Sequence, residues 1–371
     1  MDRTDKTGLY FHIPFCKSRC PYCDFYSNVS RSCPDEYIKA LVDEIKTKRR
    51  LGEFIPRDEK IQADTVYFGG GTPSLMTARQ LNEILSAVRE SFILSENAEI
   101  TVECNPSSEN LADFLYDAAG LGVNRISLGM QSAVDSERRA LGRKGTAADV
   151  IKAVDSTRKA GIENISLDIM AGVPDSSIET LKESLSLAVA LGVPHISSYM
   201  LKIEEGTYYY RHRDSLNIPS EDETADMYLF MSDFLRENGF IHYEISNFCK
   251  DGFYSRHNKK YWLLTDYIGF GAAAHSFYGG KRFFFPPDKD AFIRGDGAVF
   301  DSLGGDGDER LLLGLRLKEG ISLEGRSGQF INKINFYEKC GLGEIYDGRF
   351  SLTSRGFLLS NSVIIELLDC R

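Results

Sequence analysis

Short apolar runs recur along the N-terminal half of the chain with amphipathic stretches between them, the pattern of strands joined by crossover helices. The runs at residues 9–13, 65–68, 99–104, 125–130, 164–170 and 195–201 predict strands. Residues 34–51, 78–92, 111–121, 147–160 and 178–191 carry apolar positions at helical spacing and predict the helices between them. Gly122, Gly161 and Gly192 stand just past three of these helices, where a left-handed C-cap passes the chain to the next strand.

Repeated βα units close into a barrel or form a doubly wound sheet, and the two differ in where unusual residues gather. Here such residues follow strand after strand. Three cysteines come after the first, Gly69, Gly70, Gly71, Thr72 and Pro73 after the second, Glu103 ends the third, Gln131 follows the fourth, and Asp168 lies in the fifth. That distribution predicts an α/β fold built on a partial (β/α)6, TIM-like barrel whose chemistry sits at the carboxyl ends of its strands.

Past Gly206 the pattern changes. Residues 208–220 read as a polar, irregular connection, and 221–238 as a helix with acids in its first turn and Met227, Phe230, Met231, Phe234 and Leu235 on one side. A dense aromatic region follows, then a Gly/Asp-rich linker at 295–308. Helices are predicted at 311–317, 323–330, 336–340 and 357–368, with a short β element at 349–353. The expected organisation is a barrel over 1–215, a connecting region over 216–300, and a smaller α-rich, winged-helix-like module over 301–371.

Length and charge narrow the function. A chain of 371 residues exceeds the usual single core, which suits one large domain with a small one. A formal net charge of −10 argues against a phosphate-binding surface, so nucleic acid is not expected as a partner. Of eight cysteines, three sit together and the rest are scattered, as in a reducing cytosol. Residues 1–6 carry no apolar leader and no run of about 18 apolar residues occurs, so a cytoplasmic location is expected.

Cys16, Cys20 and Cys23 follow the first strand at C-x3-C-x2-C spacing. Three thiolates can hold three irons of a cubane and leave the fourth open to a ligand. A tetrahedral zinc site would want a fourth Cys or His nearby, and a disulfide suits the context poorly. The glycines at 69–71 let backbone approach a ligand closely, or simply make a tight turn; neither a P-loop nor a dinucleotide fingerprint is present. Glu103, Gln131, Arg143 and Asp168 offer a carboxylate for an amine, an amide, a guanidinium for a carboxylate, and an acid for a ribose. Arg143 stands in a basic stretch where a solvated surface charge is the plain alternative.

Together these residues resemble the radical S-adenosylmethionine proteins, and within them the oxygen-independent coproporphyrinogen III oxidase-like branch, over nearly the whole chain. The resemblance implies a 4Fe-4S cluster on Cys16, Cys20 and Cys23 whose open iron chelates the methionine moiety of S-adenosylmethionine, with reductive cleavage to a 5′-deoxyadenosyl radical. Tyr10, Tyr22, Gly70 and Glu103 match positions that contact this cofactor in the family. Gly71, Thr72, Gln131, Arg143 and Asp168 match positions that contact a second molecule of it in the oxidases. The oxidases carry a further cysteine two residues after the third, where this chain has Phe25. The chain is more similar to the HemW-type haem chaperones, sharing His-Tyr-Glu-Ile-Ser-Asn-Phe at 242–248 and His-Asn-x-x-Tyr-Trp at 257–262.

The resemblance implies haem as a ligand, a haem-acceptor protein that is respiratory or membrane-associated, a reducing partner such as a flavodoxin or ferredoxin, and a HemN-type C-terminal module. It also implies that cluster and cofactor serve regulation, assembly or haem handover; oxidative decarboxylation of coproporphyrinogen III is the alternative. His257, with Tyr261 and Trp262 beside it, is the expected haem site, because imidazole is a common axial ligand and flat rings suit a macrocycle. A hydrogen-bonded structural histidine is the competing reading. His275 and Cys249 are weaker candidates.

Overall fold

Polar and apolar side chains alternate along the central strands, and that alternation decides which way each strand faces. The computed structural model describes residues 6–370; residues 1–5, part of the stretch searched for a leader, lie outside the described residues. The first six long strands are β1 (Thr7–Ile13), β2 (Gln62–Gly70), β3 (Ile93–Cys104), β4 (Arg125–Gln131), β5 (Asn164–Ala171) and β6 (His195–Met200), all parallel in that order. Leu9, Phe11, Val66, Phe68, Val102, Ile126, Leu128, Ile165, Leu167 and Ile196 are buried against the outer helices. The intervening positions, among them Tyr10, Tyr67, Glu103, Arg125, Ser127, Ser166, Asp168 and His195, face a polar lumen. The outer layer drives folding, and the lumen is left for chemistry.

The crossover helices lie close to expectation: Asp35–Thr47, Ala78–Ser91, Leu111–Gly120, Ala147–Lys159 and Ile178–Ala190. Thr77 and Ser177 start two of them with reciprocal capping boxes, and Gly122, Gly161 and Gly192 take positive φ after three. A short helix, Asp135–Ala140, was not apparent from the sequence. The six-stranded unit is a partial (β/α)6 barrel, as expected.

The sheet is longer than the six strands the periodicity predicts. Next to β6 stand the antiparallel β8 (Asn247–Cys249) and β7 (Ile241–Glu244). On the other side β9 (Tyr267–Phe270) lies parallel to β1 and leads outward to β10 (His275–Tyr278), β11 (Lys281–Phe284) and β12 (Val299–Leu303). The twelve-stranded sheet ends at β12 and β7 without closing. Segment 295–308, expected as a linker, contains β12, which pairs with β11.

Other local expectations shift as well. Residues 208–220 open with a short helix, Tyr208–His212, and a 3-10 turn, Arg213–Ser215. The helices expected at 323–330 and 336–340 are a single helix, Gly328–Lys339, and the one expected at 357–368 is two, Ser354–Leu358 and Ser360–Leu368. With Gly307–Gly314 and a three-stranded antiparallel sheet they form the small C-terminal module. It joins the barrel through backbone hydrogen bonds from Ile245 to Arg316 and from Lys318 to Tyr243. No helix among the described residues is long and apolar enough to cross a membrane.

Candidate functional site

At the carboxyl ends of β1 to β5 a cavity of about 560 Å³ opens, and Cys16, Cys20, Cys23, Tyr22, Gly70, Gly71, Thr72, Glu103, Gln131, Arg143 and Asp168 all line it. These are the residues the sequence scatters over five strand ends. Phe25, 68% exposed, also lines it.

The cysteine segment is held by backbone. Phe15–Cys16 pairs with Asn28–Val29, and the Gly71 and Thr72 amides donate to the carbonyls of Ile13 and Phe15 at 3.0 and 2.8 Å. A Cβ on Gly71 would stand 2.6 Å from the Phe15 carbonyl oxygen, so only glycine lets the two segments zip together. Gly70 has φ 103°, which again favours glycine. The glycine run therefore positions the thiols as well as lining the cavity. Thr72 Oγ1 donates to Cys16 Sγ at 3.5 Å. Burial raises the Cys16 and Cys23 thiols, and neighbouring thiols push the same way. A bound cation reverses that tendency, because metal coordination deprotonates a thiol outright. Among the described residues no three His, Cys, Asp or Glu side chains converge on a single-ion site.

Two carboxylates form the inner wall. Burial, followed by the charge of Asp168, pushes Glu103 up to about 7, while the Tyr67 hydroxyl donates to it at 2.8 Å. Burial likewise pushes Asp168 up to about 6, against a hydrogen bond donated by Ser127 at 3.0 Å. Arg143 donates to the Tyr22 hydroxyl at 3.2 Å and its buried Nε has no partner. Gln131 has φ 67° where the β4–β5 register slips by one residue, a bulge that directs its amide at the cavity. Buried acids near their charging point and an orphaned guanidinium nitrogen fit a ligand carrying an ammonium, a carboxylate and hydroxyls. Tyr67 and Ser127, which hold the two acids, were not singled out from sequence; their signal is polarity at alternate positions of otherwise apolar strands.

The remaining candidates stand elsewhere. Tyr10 lies deeper in the lumen, its hydroxyl 3.0 Å from His12 Nδ1 and its ring stacked on Tyr67. His257, Tyr261 and Trp262 belong to a helix, Arg256–Leu263, that plugs the opposite, amino end of the barrel. His257 abuts Gly8 and Thr65, five residues before Gly70 on β2, about 16 Å along a strand. The Glu99 carboxylate accepts from the amides of Arg256 and His257, an anion capping a helix N-terminus. The imidazole is fully buried, with Nδ1 2.8 Å from Thr65 Oγ1 and Nε2 2.9 Å from the Tyr261 hydroxyl. The expected ligand site is thus a barrel floor here, and neither ring nitrogen is left for an iron. The Trp262 side chain hydrogen-bonds with Glu244, whose carboxyl burial pushes up to about 7. Cys249 is buried on β8, its thiol pushed up to about 12 by burial. His275 is exposed at the start of β10 and stacks on Phe284 with centroids 5.1 Å apart.

A parallel barrel whose open face gathers three thiols and a polar pocket defines a radical SAM protein, and the Radical SAM superfamily model matches residues 10–188. The HemN C-terminal domain matches residues 307–359. The haem chaperone HemW of Lactococcus lactis is 35% identical over 97% of each chain, and that of Mycobacterium tuberculosis is 33% identical over 97% of this chain and 94% of the other. The chain belongs to the HemW haem-chaperone family. Among solved structures, coproporphyrinogen III oxidase (HemN) from Escherichia coli matches with a TM-score of 0.80 at 20% identity, covering 98% of this chain and 90% of that one, a likeness of fold.

Proposed function

We propose that the protein is a haem chaperone that holds a 4Fe-4S cluster on Cys16, Cys20 and Cys23, binds S-adenosylmethionine in the adjoining cavity, and passes haem to an acceptor protein. Near end-to-end similarity to the HemW chaperones carries this reading. Bound there, cluster and cofactor would supply one-electron chemistry. Tyr22, Gly70 and Glu103 would hold the cofactor, with Tyr10 beneath them. Gly71, Thr72, Gln131, Arg143 and Asp168 would hold a second molecule or the far end of the first.

His275 offers haem an exposed imidazole beside a flat ring; His257, Tyr261 and Trp262 would reach it only by lifting their helix from the floor. The reading places the protein in the cytoplasm, where thiols stay reduced for cluster assembly. It also calls for a reducing partner and a respiratory or membrane-associated acceptor. Haem mixed with the cluster-loaded protein should give a Soret band and then leave for an added apo-haemoprotein. No Soret band removes the chaperone reading; conversion of coproporphyrinogen III to protoporphyrinogen IX replaces it with the oxidase.

The acid wall gives a pH dependence. A ligand ammonium pairs with ionised Glu103, so below about pH 7 binding must first expel a proton, and affinity falls up to tenfold per pH unit. Titration calorimetry of S-adenosylmethionine should show affinity rising from pH 6 to 8. Glu103→Gln should weaken binding about tenfold or more at pH 8 and remove the slope near 7, leaving that of Asp168 near 6. Parallel pH profiles for both proteins would exclude Glu103 as the ammonium partner.

A further inference from the structure

Arg125 is among the largest fully buried side chains, 1% exposed on the lumen face of β4. A guanidinium keeps its charge at any working pH, and burying one is costly unless negative charge stands close. Arg125 makes no ion pair among the described residues. Its Nη2 donates to His195 Nδ1 at 3.3 Å, and its buried Nε has no partner.

His195 fixes where that charge lies. Because a guanidinium only donates, Nδ1 is the accepting nitrogen, and Ser166 Oγ meets it as well at 2.8 Å. Nε2 then carries the proton and donates to the Tyr243 hydroxyl at 2.9 Å, which also accepts from the Ser255 amide at 3.2 Å. In the strand register His195 stands opposite Ser166, Ser166 opposite Ser127, and Ser127 opposite Glu103. The guanidinium is therefore held level with Glu103 and below Asp168, between the acid wall and the floor.

Nearby carboxylates are engaged elsewhere. Glu99 caps the floor helix, Asp64 pairs with Arg256 and Lys260, and Glu244 is bonded to Asn247, Ser246 and Trp262. Glu103 and Asp168 accept from Tyr67 and Ser127, and neither has a cation at ion-pair distance among the described residues.

We infer that Arg125 is a positioning residue for the cofactor pocket: its charge, anchored by His195, keeps Glu103 and Asp168 ionised to receive a cationic ligand. This rests on the cofactor-binding reading above. Burial and then Asp168 raise Glu103, while Tyr67, Gly70 and the Arg125 charge hold it down. Burial raises Asp168, against Ser127 and then Arg125, ahead of Ser197 and Arg143. Tyr10, Tyr67, Tyr199 and Tyr261 also face these acids, and His195 and His257 face Arg125. Burial raises the phenols and lowers the imidazoles, so all six stay neutral between about pH 5 and 9. Arg125 also repels the ligand's positive charge from farther off. The two effects have opposite signs, so losing the charge shifts the pH dependence of binding rather than weakening it uniformly.

The test titrates S-adenosylmethionine into the cluster-loaded full chain by calorimetry from pH 6 to 9. Arg125→Gln can still donate to His195 without the charge, and Arg125→Lys keeps the charge. In Arg125→Gln the rise in affinity should move from near pH 7 to about 8, leaving binding about fivefold weaker at pH 7 and no weaker at pH 9. Arg125→Lys should keep the parent profile. An unmoved profile in Arg125→Gln, a loss equal at every pH, or a lysine variant that behaves like the glutamine one overturns the inference. Arg125→Met takes the same test if the glutamine variant does not fold. The carboxyl infrared band of the ligand-free chain, assigned by subtraction of Glu103→Gln, reports Glu103 directly. It should titrate about one pH unit higher in Arg125→Gln, and an unmoved band overturns the inference whether or not the cofactor binds. No binding of S-adenosylmethionine to the parent, with that band shifted, defeats the cofactor reading and leaves the charge role of Arg125 standing.

Discussion

Cys20→Ala is expected to retain almost no iron, falling from about four irons per chain to near zero after anaerobic reconstitution. Two thiolates cannot hold three corners of a cubane, and the cavity offers no substitute at that corner. Cys104 is the instructive control, because it lines the same cavity. It sits at the end of β3, 4% exposed, and burial holds its thiol far above the range in which it would ionise. Cys104→Ala and Cys249→Ala should therefore load iron and sulfide like the parent. The Cys16–Cys23 loop lies outside the long strands, so apo Cys20→Ala should melt with the apo parent. Full iron in Cys20→Ala, or equal loss in Cys104→Ala, would mean that the thiols are misassigned; one zinc without sulfide would mean that the metal is.

The contrast between these cysteines also separates what the sequence reveals from what it hides. Spacing alone distinguishes the three clustered thiols from the rest, since C-x3-C-x2-C puts them on one loop whatever the fold. The carboxylates were legible because Glu103 closes one strand and Asp168 interrupts the apolar run of another, and parallel strands bring such positions toward one face. The flanking strands were not. The strands β7 to β12 are three to five residues long, too short for a clear period, and owe their place to register with β1, β6 and one another. Helix Tyr208–His212 has a poor helical sequence and exists through Tyr209's bonds to Pro21 and Ala140.

His257 is the sharpest case. Its motif is plain in the sequence, yet flanking Arg256, Lys259 and Lys260 suggest a surface helix. What sinks it is tertiary: Glu99 caps the helix from β3, Thr65 meets the ring from β2, and Lys260 finds Asp64 at 2.8 Å. The stack continues upward, with Tyr67 5.1 Å from the imidazole and hydrogen-bonded to Glu103 above it. Floor and cofactor wall share a side chain.

His257→Ala should accordingly destabilise the haem-free chain by about 3–5 kcal/mol, the cost of a ring-sized hole and of stranding the Thr65 and Tyr261 hydroxyls. Denaturant titration at pH 7.5 reads this. A second signature concerns acid. Burial, then Lys260, pushes His257 down to about 3, so the folded ring stays neutral while the unfolded one takes a proton near 6.5. Its folded pKa is depressed, so the parent loses stability as pH falls from about 6.5 toward 3; at pH 5 this residue's share is about 2 kcal/mol. The variant should lack that share and keep those of His195 and His242, both also lowered by burial. Equal acid slopes, or an unchanged midpoint, would refute a floor role. Thr65→Val then separates structure from ligation, because it loosens the floor while leaving the imidazole intact. If haem reaches His257 by lifting the helix, this variant binds haem more tightly; if the ring is only a floor, haem affinity stays unchanged while stability drops by about 1–2 kcal/mol.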